Sequence, residues 1–209
     1  MVASNDKVFK SVIFDMGGVL MTSSDPKILK IFKMFTVGGK IAEQVVQMDM
    51  GELSIEEFIQ TIPVDSEEYQ LFSQANGQKL DELNDFMHRD ENFQKCIKVL
   101  KENGYKIALL TNNFFYDKTK TKTTIMSDLS MFDVVIESCK VGLRKPDEAI
   151  YKLTLEKLGL SGEECVFVDD LKVNCEGAEL LGITSVHVTV GDSEKAVKEI
   201  EKLLGLSIL

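Results

Sequence analysis

The chain has few of the residues that build soft-metal sites or disulfide frameworks. Its 209 residues include no tryptophan, two histidines, three prolines and four cysteines. The scarcity of histidine excludes a histidine-rich zinc site, so any metal ligands should be oxygen atoms, which suits Mg²⁺. The cysteines form no CxxC pair and show no metal-finger spacing. We therefore expect reduced thiols in a cytoplasmic type of compartment.

The chain also lacks a long apolar run and an excess of positive charge. No run reaches the length of a membrane span, and the polar residues 1–10 do not resemble a secretory leader, so we expect no membrane association. With 34 acidic residues against 24 basic ones, the net charge is −10. Such a surface repels nucleic acid, and a phosphorylated ligand would need local positive charge or a metal ion. No pattern favours one oligomeric state.

The clearest positive feature is the segment 11–20, SVIFDMGGVL, in which an apolar, β-branched run leads into Asp15 and two glycines. This pattern predicts a strand that ends in an open loop. In a parallel sheet, the carboxyl ends of the strands form the ligand crevice, so Asp15 is predicted to lie at its mouth. Taken alone, an Asp in a turn more often hydrogen-bonds its own backbone. The remaining motifs favour a functional role.

Further apolar runs alternate with helical patterns along the chain. Strands are predicted at 106–110, 132–136, 165–168 and 183–190, and helices at 93–103, 118–129, 146–158, 174–181 and 193–204. Glycines stand where three of these helices should end. Strand and helix repeated in this way predict an α/β fold with a Rossmann-like parallel sheet core and right-handed crossovers.

The stretch 23–89 has a different pattern, without a convincing strand. Its apolar residues recur at helical spacing, as in Ile28, Leu29, Ile31 and Phe32. Pro63 interrupts this pattern, which predicts several short helices. We expect an α/β core over 1–20 and 92–209 and an inserted α-helical cap domain over 21–91. An insertion directly after the first strand would cover the crevice as a lid.

Four polar motifs now follow one another in a single order. They are Asp15, Thr111-Asn112, the segment GLRKPD that contains Lys145, and Asp169-Asp170 with Asn174. Their order and chemistry resemble the haloacid dehalogenase superfamily of hydrolases over essentially the whole chain. The inserted helical segment is similar to the cap that this superfamily carries between its first and second motifs. Residues 50–58, MGELSIEEF, resemble the branch that contains the phosphatase domain of soluble epoxide hydrolase.

This resemblance implies a role for each motif. Asp15 is implied to be the nucleophile that forms a covalent aspartyl intermediate, and a carboxylate needs no activating base for this at neutral pH. Thr111 and Asn112 are implied to bind phosphoryl oxygens, and Lys145 to neutralise the nucleophile and the transferring group. The alternatives are a helix cap for Thr111 and a solvated lysine at a helix start for Lys145. Arg144 is expected to be a surface charge.

The acidic pair implies a metal site. Adjacent carboxylates such as Asp169 and Asp170 repel each other unless a cation lies between them and Asp15. Mg²⁺ suits such ligands. The resemblance implies Asp170 as a direct ligand, Asp169 as a ligand or a supporting group, and the backbone carbonyl of Gly17 as a further ligand. Asn174 is expected to orient this group, and helix capping is the alternative for the acidic pair.

Gly17 departs from the pattern of the superfamily. Most of its phosphatases carry a second Asp there, which protonates the leaving alcohol and activates water, a contribution of about 10²–10⁴-fold. We expect a slow or leaving-group-selective phosphatase acting on a small phosphorylated metabolite, with water, the substrate, Asp49, Glu52 or Glu56 replacing the missing group. A metal-independent 2-haloacid dehalogenase and a non-catalytic binder of a phospho-ligand or protein are the alternatives.

Overall fold

A five-stranded parallel sheet forms the centre of the structure, a computed structural model that describes residues 8–26, 29–30, 41–66, 69–70, 87–124 and 126–209. The described strands are β1 (Ser11–Phe14), β2 (Met21–Thr22), β3 (His88–Arg89), β4 (Lys106–Thr111), β5 (Val134–Glu137), β6 (Cys165–Asp169) and β7 (Thr184–His187). The sheet has the order β5-β4-β1-β6-β7, and each neighbouring pair is parallel. The predicted parallel α/β sheet is confirmed.

Helices connect and cover these strands. Those with described bounds are α1 (Ala42–Asp49), α2 (Ile55–Thr61), α3 (Glu91–Glu102), α4 (Ser138–Val141), α5 (Glu148–Leu158), α6 (Lys172–Glu179) and α7 (Ser193–Leu204). A short 3₁₀ turn, Gly162–Glu164, precedes β6. No helix in the described part of the chain is long and apolar enough to cross a membrane.

The sheet is buried on both faces. Within β1, Val12 and Phe14 point into one apolar cluster and Ile13 points into the other. Residues of α3 and α7 complete the first cluster, and residues of α5 and α6 complete the second. Because both faces are covered, the central strands consist of continuous apolar residues rather than alternating ones. This is why their positions could be read from the sequence.

The helix predicted over 118–129 is wrong. The described residues of that stretch form turns, and Phe115 and Thr123 form an antiparallel β-bridge. The Asp117 carboxylate accepts hydrogen bonds from the backbone N–H groups of Thr121 and Lys122, at 3.1 and 2.8 Å. Such local side-chain contacts compete with helix formation. We call residues 114–124 the flap.

The inserted stretch contains a small strand pair as well as helices. β2 and β3 pair in antiparallel fashion near its two ends, so the expectation of no strand within 23–89 is wrong at His88–Arg89. Two residues are too few to show an alternating pattern. Ile28, Ile31 and Phe32 lie outside the described residues. The division into a core over 1–20 and 92–209 and a cap over 21–91 stays a prediction.

The described helices of the insertion pack against the flap. Val45 and Met48 of α1 and Phe58 of α2 lie in one buried apolar cluster, against which the flap residues Phe114 and Tyr116 pack. At the start of α2, the Ser54 and Glu57 side chains each accept a backbone N–H of the other residue, which forms a capping box. The insertion is thereby anchored to the loop that follows β4.

Candidate active site

The carboxyl ends of β1, β4 and β6 meet at one edge of the sheet, since these strands are parallel neighbours. Asp15 follows β1, Thr111 ends β4 and Asp169 ends β6. The Asp15 N–H donates to the Val168 carbonyl at 2.9 Å, which continues the ladder between β1 and β6. Strand register therefore brings three of the predicted motifs together at one edge of the sheet, where parallel α/β sheets bind their ligands.

Lys145 supplies a positive charge at this edge. Its Nζ lies 2.7 Å from Asp15 Oδ1 and 2.6 Å from Asp169 Oδ2, and its side chain is 1% exposed. Nζ also lies 5.5 Å from the centroid of the Phe167 ring, within cation–π range. Burial lowers the pKa of Lys145, but the carboxylates of Asp15 and Asp169 outweigh this effect and raise the pKa above its ordinary value. Lys145 is a fixed buried cation rather than a solvated lysine.

Asp169 has hydrogen-bond partners on both carboxylate oxygens. Besides the contact with Lys145, its Oδ1 accepts the Leu171 N–H at 2.8 Å. The Asn174 Nδ2 lies 3.0 Å from Oδ1 and 3.1 Å from Oδ2. Asn174 is itself held by Tyr151, whose hydroxyl donates to the Asn174 carbonyl at 2.8 Å. Both oxygens of Asp169 are thus engaged by neighbouring protein groups, and its role as a metal ligand or a supporting group stays a prediction.

Asp15, Asp169 and Asp170 form a group of carboxylates suited to a metal ion. Each offers one oxygen, and these atoms lie within 4.8 Å of one another. Burial raises the pKa of Asp15 to about 7; the Lys145 ammonium opposes this rise, and the two other carboxylates add to it. Burial and the charge of Asp169 raise the pKa of Asp170 to about 6. The mutual repulsion of these carboxylates favours a bound cation.

The two glycines after Asp15 have different surroundings. Gly18 has a φ of +78°, and a Cβ atom there would lie 2.4 Å from Asp170 Oδ2. The positive φ favours glycine at position 18, and any larger residue there would also move the Asp170 carboxylate. A Cβ atom at Gly17 would meet no described atom within 4 Å. Packing thus leaves room for a side chain at position 17, although the sequence has none there.

Thr111 and Asn112 lie next to Lys145. The buried Thr111 hydroxyl donates to the Asn112 carbonyl over a long 3.3 Å. Asn112 Oδ1 accepts the Lys145 N–H at 2.9 Å, and Asn112 Nδ2 donates to the Lys145 carbonyl at 3.1 Å. Asn112 therefore supports the backbone of Lys145. Binding of phosphoryl oxygens by Thr111 and Asn112 stays a prediction.

The expectation that Arg144 is a surface charge is wrong. Its Nε and Nη2 each lie 2.9 Å from Asp49 Oδ2, and the Asp49 side chain is 3% exposed. Asn112 Nδ2 lies 3.4 Å from the same oxygen. Burial raises the pKa of Asp49 to about 6, and the Arg144 charge opposes this rise. Asp49 lies 95 residues before Arg144, so no local pattern could reveal the pair.

The two other candidates for the missing acid have different neighbours. Glu52 is exposed, and its backbone carbonyl accepts a hydrogen bond from the Lys120 ammonium at 3.1 Å. Glu56 Oε2 accepts the backbone N–H of Lys118 at 3.0 Å. Both contacts are to the flap. Among the described contacts, Asp49 is the one of the three that touches a residue of the predicted motifs.

A buried polar network beside the site was not predicted. The Asn113 N–H donates to Ser138 Oγ at 2.9 Å, and Asn113 Nδ2 donates to Glu137 Oε2 at 2.8 Å. These contacts join the loop after β4 to the end of β5. The signal was present, because polar residues follow both strands and adjacent parallel strands bring the residues after them together.

Comparison with known proteins gives matches over most of the chain. Residues 9–182 match the family of haloacid dehalogenase-like hydrolases. Bifunctional epoxide hydrolase 2 of Sus scrofa is 28% identical, over 96% of this chain and 40% of that protein. Sesquiterpene phosphatase astK of Aspergillus oryzae is 27% identical, over 94% of this chain and 97% of that protein. The chain spans between 20% and 40% of the length of the mammalian relatives that it matches.

A solved structure shows the same fold. The wild-type HAD family enzyme of Bacteroides thetaiotaomicron, in complex with magnesium and inorganic phosphate, matches with a TM-score of 0.62 and 22% identity, over 88% of this chain and 96% of that chain. The α/β fold predicted from the alternation of strands and helices is confirmed by this similarity. The predicted family resemblance, including the similarity to epoxide hydrolases, is confirmed by the relatives.

Proposed function

This chain belongs to the haloacid dehalogenase-like hydrolase family, and from that premise we propose that it is a magnesium-dependent phosphatase of a small phosphorylated metabolite. The reaction proceeds through an aspartyl-phosphate at Asp15. The observation that carries the proposal is the buried Lys145 Nζ, 2.7 Å from Asp15 Oδ1 and 2.6 Å from Asp169 Oδ2, at the crevice edge of the sheet. The relative named a sesquiterpene phosphatase supports the same class of reaction.

Asp15 is the nucleophile of the proposed reaction. Its Oδ1 is paired with Lys145, and its other oxygen accepts no hydrogen bond from the described residues. That second oxygen attacks phosphorus, and the bond from phosphorus to the leaving oxygen breaks with its electron pair on that oxygen, which takes a proton from water to give the alcohol. Lys145 is held in place to stabilise the negative charge of the transferring group. The Thr111 hydroxyl, now in a long contact, donates to a phosphoryl oxygen.

Hydrolysis of the aspartyl-phosphate completes the proposed cycle. Water attacks phosphorus, the bond from phosphorus to Asp15 breaks, and phosphate leaves. Gly17 offers no group that moves a proton in either half of the reaction. We therefore expect turnover to be about 10²–10⁴-fold lower than with an Asp at that position, and fastest for good leaving groups.

The residues at this edge fit Mg²⁺, a cation that prefers oxygen ligands. Three carboxylate oxygens lie within 4.8 Å of one another, and the close approach of Asp170 to Gly18 depends on the absence of a side chain there. The proposed ligands are the carboxylates of Asp15 and Asp170 and the backbone carbonyl of Gly17. The side chains of Asp169 and Asn174 support them. A bound ion would supply positive charge toward a phosphoryl group in a chain whose net charge is −10.

The two alternative functions fit the site less well. A halide leaves without a proton and without a metal ion, so a dehalogenase has no use for three clustered carboxylates. A non-catalytic binder has no need of a nucleophile whose carboxylate faces a buried lysine. The combination of Asp15, Lys145 and Asp170 therefore favours the phosphatase.

We also propose that the segment 21–91 acts as the cap that selects the substrate. Its helices α1 and α2 pack on the flap, and Asp49 at the end of α1 contacts the motif residue Asn112.

The four cysteines are buried free thiols, which supports a reducing, cytoplasmic type of compartment.

Phosphate release from a panel of phosphate monoesters tests the proposed function. The wild type should release phosphate when Mg²⁺ is present, Asp15→Asn should be inactive, and Gly17→Asp should be faster, most of all on alkyl phosphates. Glu176→Gln, which changes an exposed carboxylate on α6, is the matched control and should equal the wild type.

Two results would contradict the proposal. Phosphate release by Gly17→Asp but not by the wild type would favour a binding protein that has lost turnover. Release of halide from a 2-haloacid without Mg²⁺ would favour the dehalogenase.

A further inference from the structure

Asp49 is a cap carboxylate buried among residues of the α/β core. It is the last residue of α1 and is 2% exposed. Its Oδ2 lies 2.9 Å from both Nε and Nη2 of Arg144, with which it forms an ion pair, and 3.4 Å from Asn112 Nδ2. Its other oxygen accepts no hydrogen bond from the described residues. The carboxylate is thus oriented by two groups of the core.

Both groups that Asp49 contacts lead to Lys145. Arg144 directly precedes Lys145 in the chain. Asn112 holds the Lys145 backbone on both sides, since Oδ1 accepts the N–H at 2.9 Å and Nδ2 donates to the carbonyl at 3.1 Å. The Lys145 Nζ in turn lies 2.7 Å from Asp15 Oδ1. A displacement of Asp49 would therefore reach the nucleophile through Lys145.

The residues that follow Asp49 make backbone contacts with α4 and with the flap. Gly51 has a φ of +72°, and a Cβ atom there would lie 2.2 Å from the Cys139 carbonyl oxygen, so the cap backbone and α4 lie in direct contact. The N–H of Ile55 donates to the carbonyl of Phe115 at 2.9 Å, which joins the start of α2 to the flap. These contacts fix the position of Asp49 through the backbone.

We propose that Asp49 is a positioning residue of the active site: from the cap, it holds Arg144 and Asn112 so that Lys145 stays between Asp15 and Asp169. This inference rests on the proposed phosphatase function. Asp49 touches protein groups rather than the reacting atoms, so we expect its loss to lower kcat much more than it changes KM. The described cap segment is accordingly part of the catalytic scaffold.

The kinetics of four variants test this role. Asp49→Asn, Arg144→Gln and the double variant are compared with Glu43→Gln, which changes an exposed carboxylate on the same helix. A small displacement of catalytic groups lowers rates by up to about 100-fold, so kcat should fall about 10-fold to 100-fold in Asp49→Asn, with KM within about threefold of the wild type. Glu43→Gln should equal the wild type in both constants.

Two comparisons separate positioning from other roles. A positioning residue lowers kcat by the same factor for 4-nitrophenyl phosphate and for an alkyl phosphate, because no proton is transferred by it. The double variant should lose no more than the worse single variant, since Asp49 and Arg144 act as one unit. Thermal melting establishes that each variant is folded, and beryllofluoride affinity in the presence of Mg²⁺ provides a readout independent of turnover.

Several results would overturn the inference. An unchanged kcat and beryllofluoride affinity in folded Asp49→Asn would remove any role in the site. A loss confined to alkyl phosphates would make Asp49 a proton donor, and a change confined to KM would make it a substrate contact. If the wild type and Glu43→Gln both release no phosphate, the proposed function itself fails, and beryllofluoride affinity then decides on Asp49 alone.

Discussion

Gly18 and Asp170 are in such close contact that a Cβ atom at position 18 would lie 2.4 Å from the Asp170 Oδ2 atom. Gly18 also has a φ of +78°, a conformation that costs other residues about 1–2 kcal/mol. Gly18→Ala should therefore be less stable by about that amount and should displace the Asp170 carboxylate. Chemical denaturation measures the first effect, and loss of the thermal shift produced by Mg²⁺ measures the second.

Gly17→Ala is the matched control for that prediction, since a Cβ atom at Gly17 meets no described atom within 4 Å. It should be close to the wild type in both measurements. Equal losses in the two variants would mean that the loop as a whole, rather than the contact with Asp170, sets the requirement for glycine.

Removal of the buried ammonium should be costly for the fold. Lys145→Met leaves Asp15 and Asp169 as buried carboxylates without their cation, and breaking a buried ion pair in this way costs about 3–5 kcal/mol. We expect a loss of that size in the free energy of unfolding, together with loss of phosphate release. Lys152→Met, which breaks an exposed helical pair with Glu148, should cost about 0.5 kcal/mol or less. Similar losses in both variants would show that Lys145 is not buried among its partners.

The stability of the wild type relative to Asp49→Asn should depend on pH. Burial raises the pKa of Asp49 from the ordinary 3.8 to about 6. Its contribution to stability is therefore fully present below about pH 4 and is lost as the pH rises through 6. As the pH rises from 4 to 7, the free energy of unfolding of Asp49→Asn should therefore increase relative to that of the wild type by up to about 3 kcal/mol. Urea denaturation across this range measures the difference, and parallel curves for the two proteins would contradict the raised pKa.

Magnesium should stabilise the fold through the carboxylate group. At a concentration about 100 times its dissociation constant, a ligand that binds the folded state alone adds about 2.7 kcal/mol to the free energy of unfolding. Thermal melting should rise with Mg²⁺ and fall back when a chelator removes it. Asp170→Asn should lose this response, and Glu176→Gln, with an exposed carboxylate, should keep it. An undiminished response in Asp170→Asn would place the ion elsewhere.

The central strands were predictable because the parallel sheet is covered on both faces. β1, β4 and β6 consist of nearly continuous buried residues, and each was predicted to within one residue of its observed end. The flap was not predictable in the same way. Part of it was predicted as a helix over 118–129, but Asp117 hydrogen-bonds the N–H groups of Thr121 and Lys122 and holds the chain in a turn.

The sequence by itself determined the parallel sheet and the placement of Asp15, Thr111 and Asp169 at the ends of its strands, because hydrophobic pattern and chain order are local properties. Only the tertiary structure decided which partners each charge has. Lys145 lies between two carboxylates from different strands, and Arg144 pairs with Asp49 of α1. Such contacts join residues far apart in the chain, and burial then fixes their protonation and strength, so they depend on strand order and loop packing rather than on any local pattern.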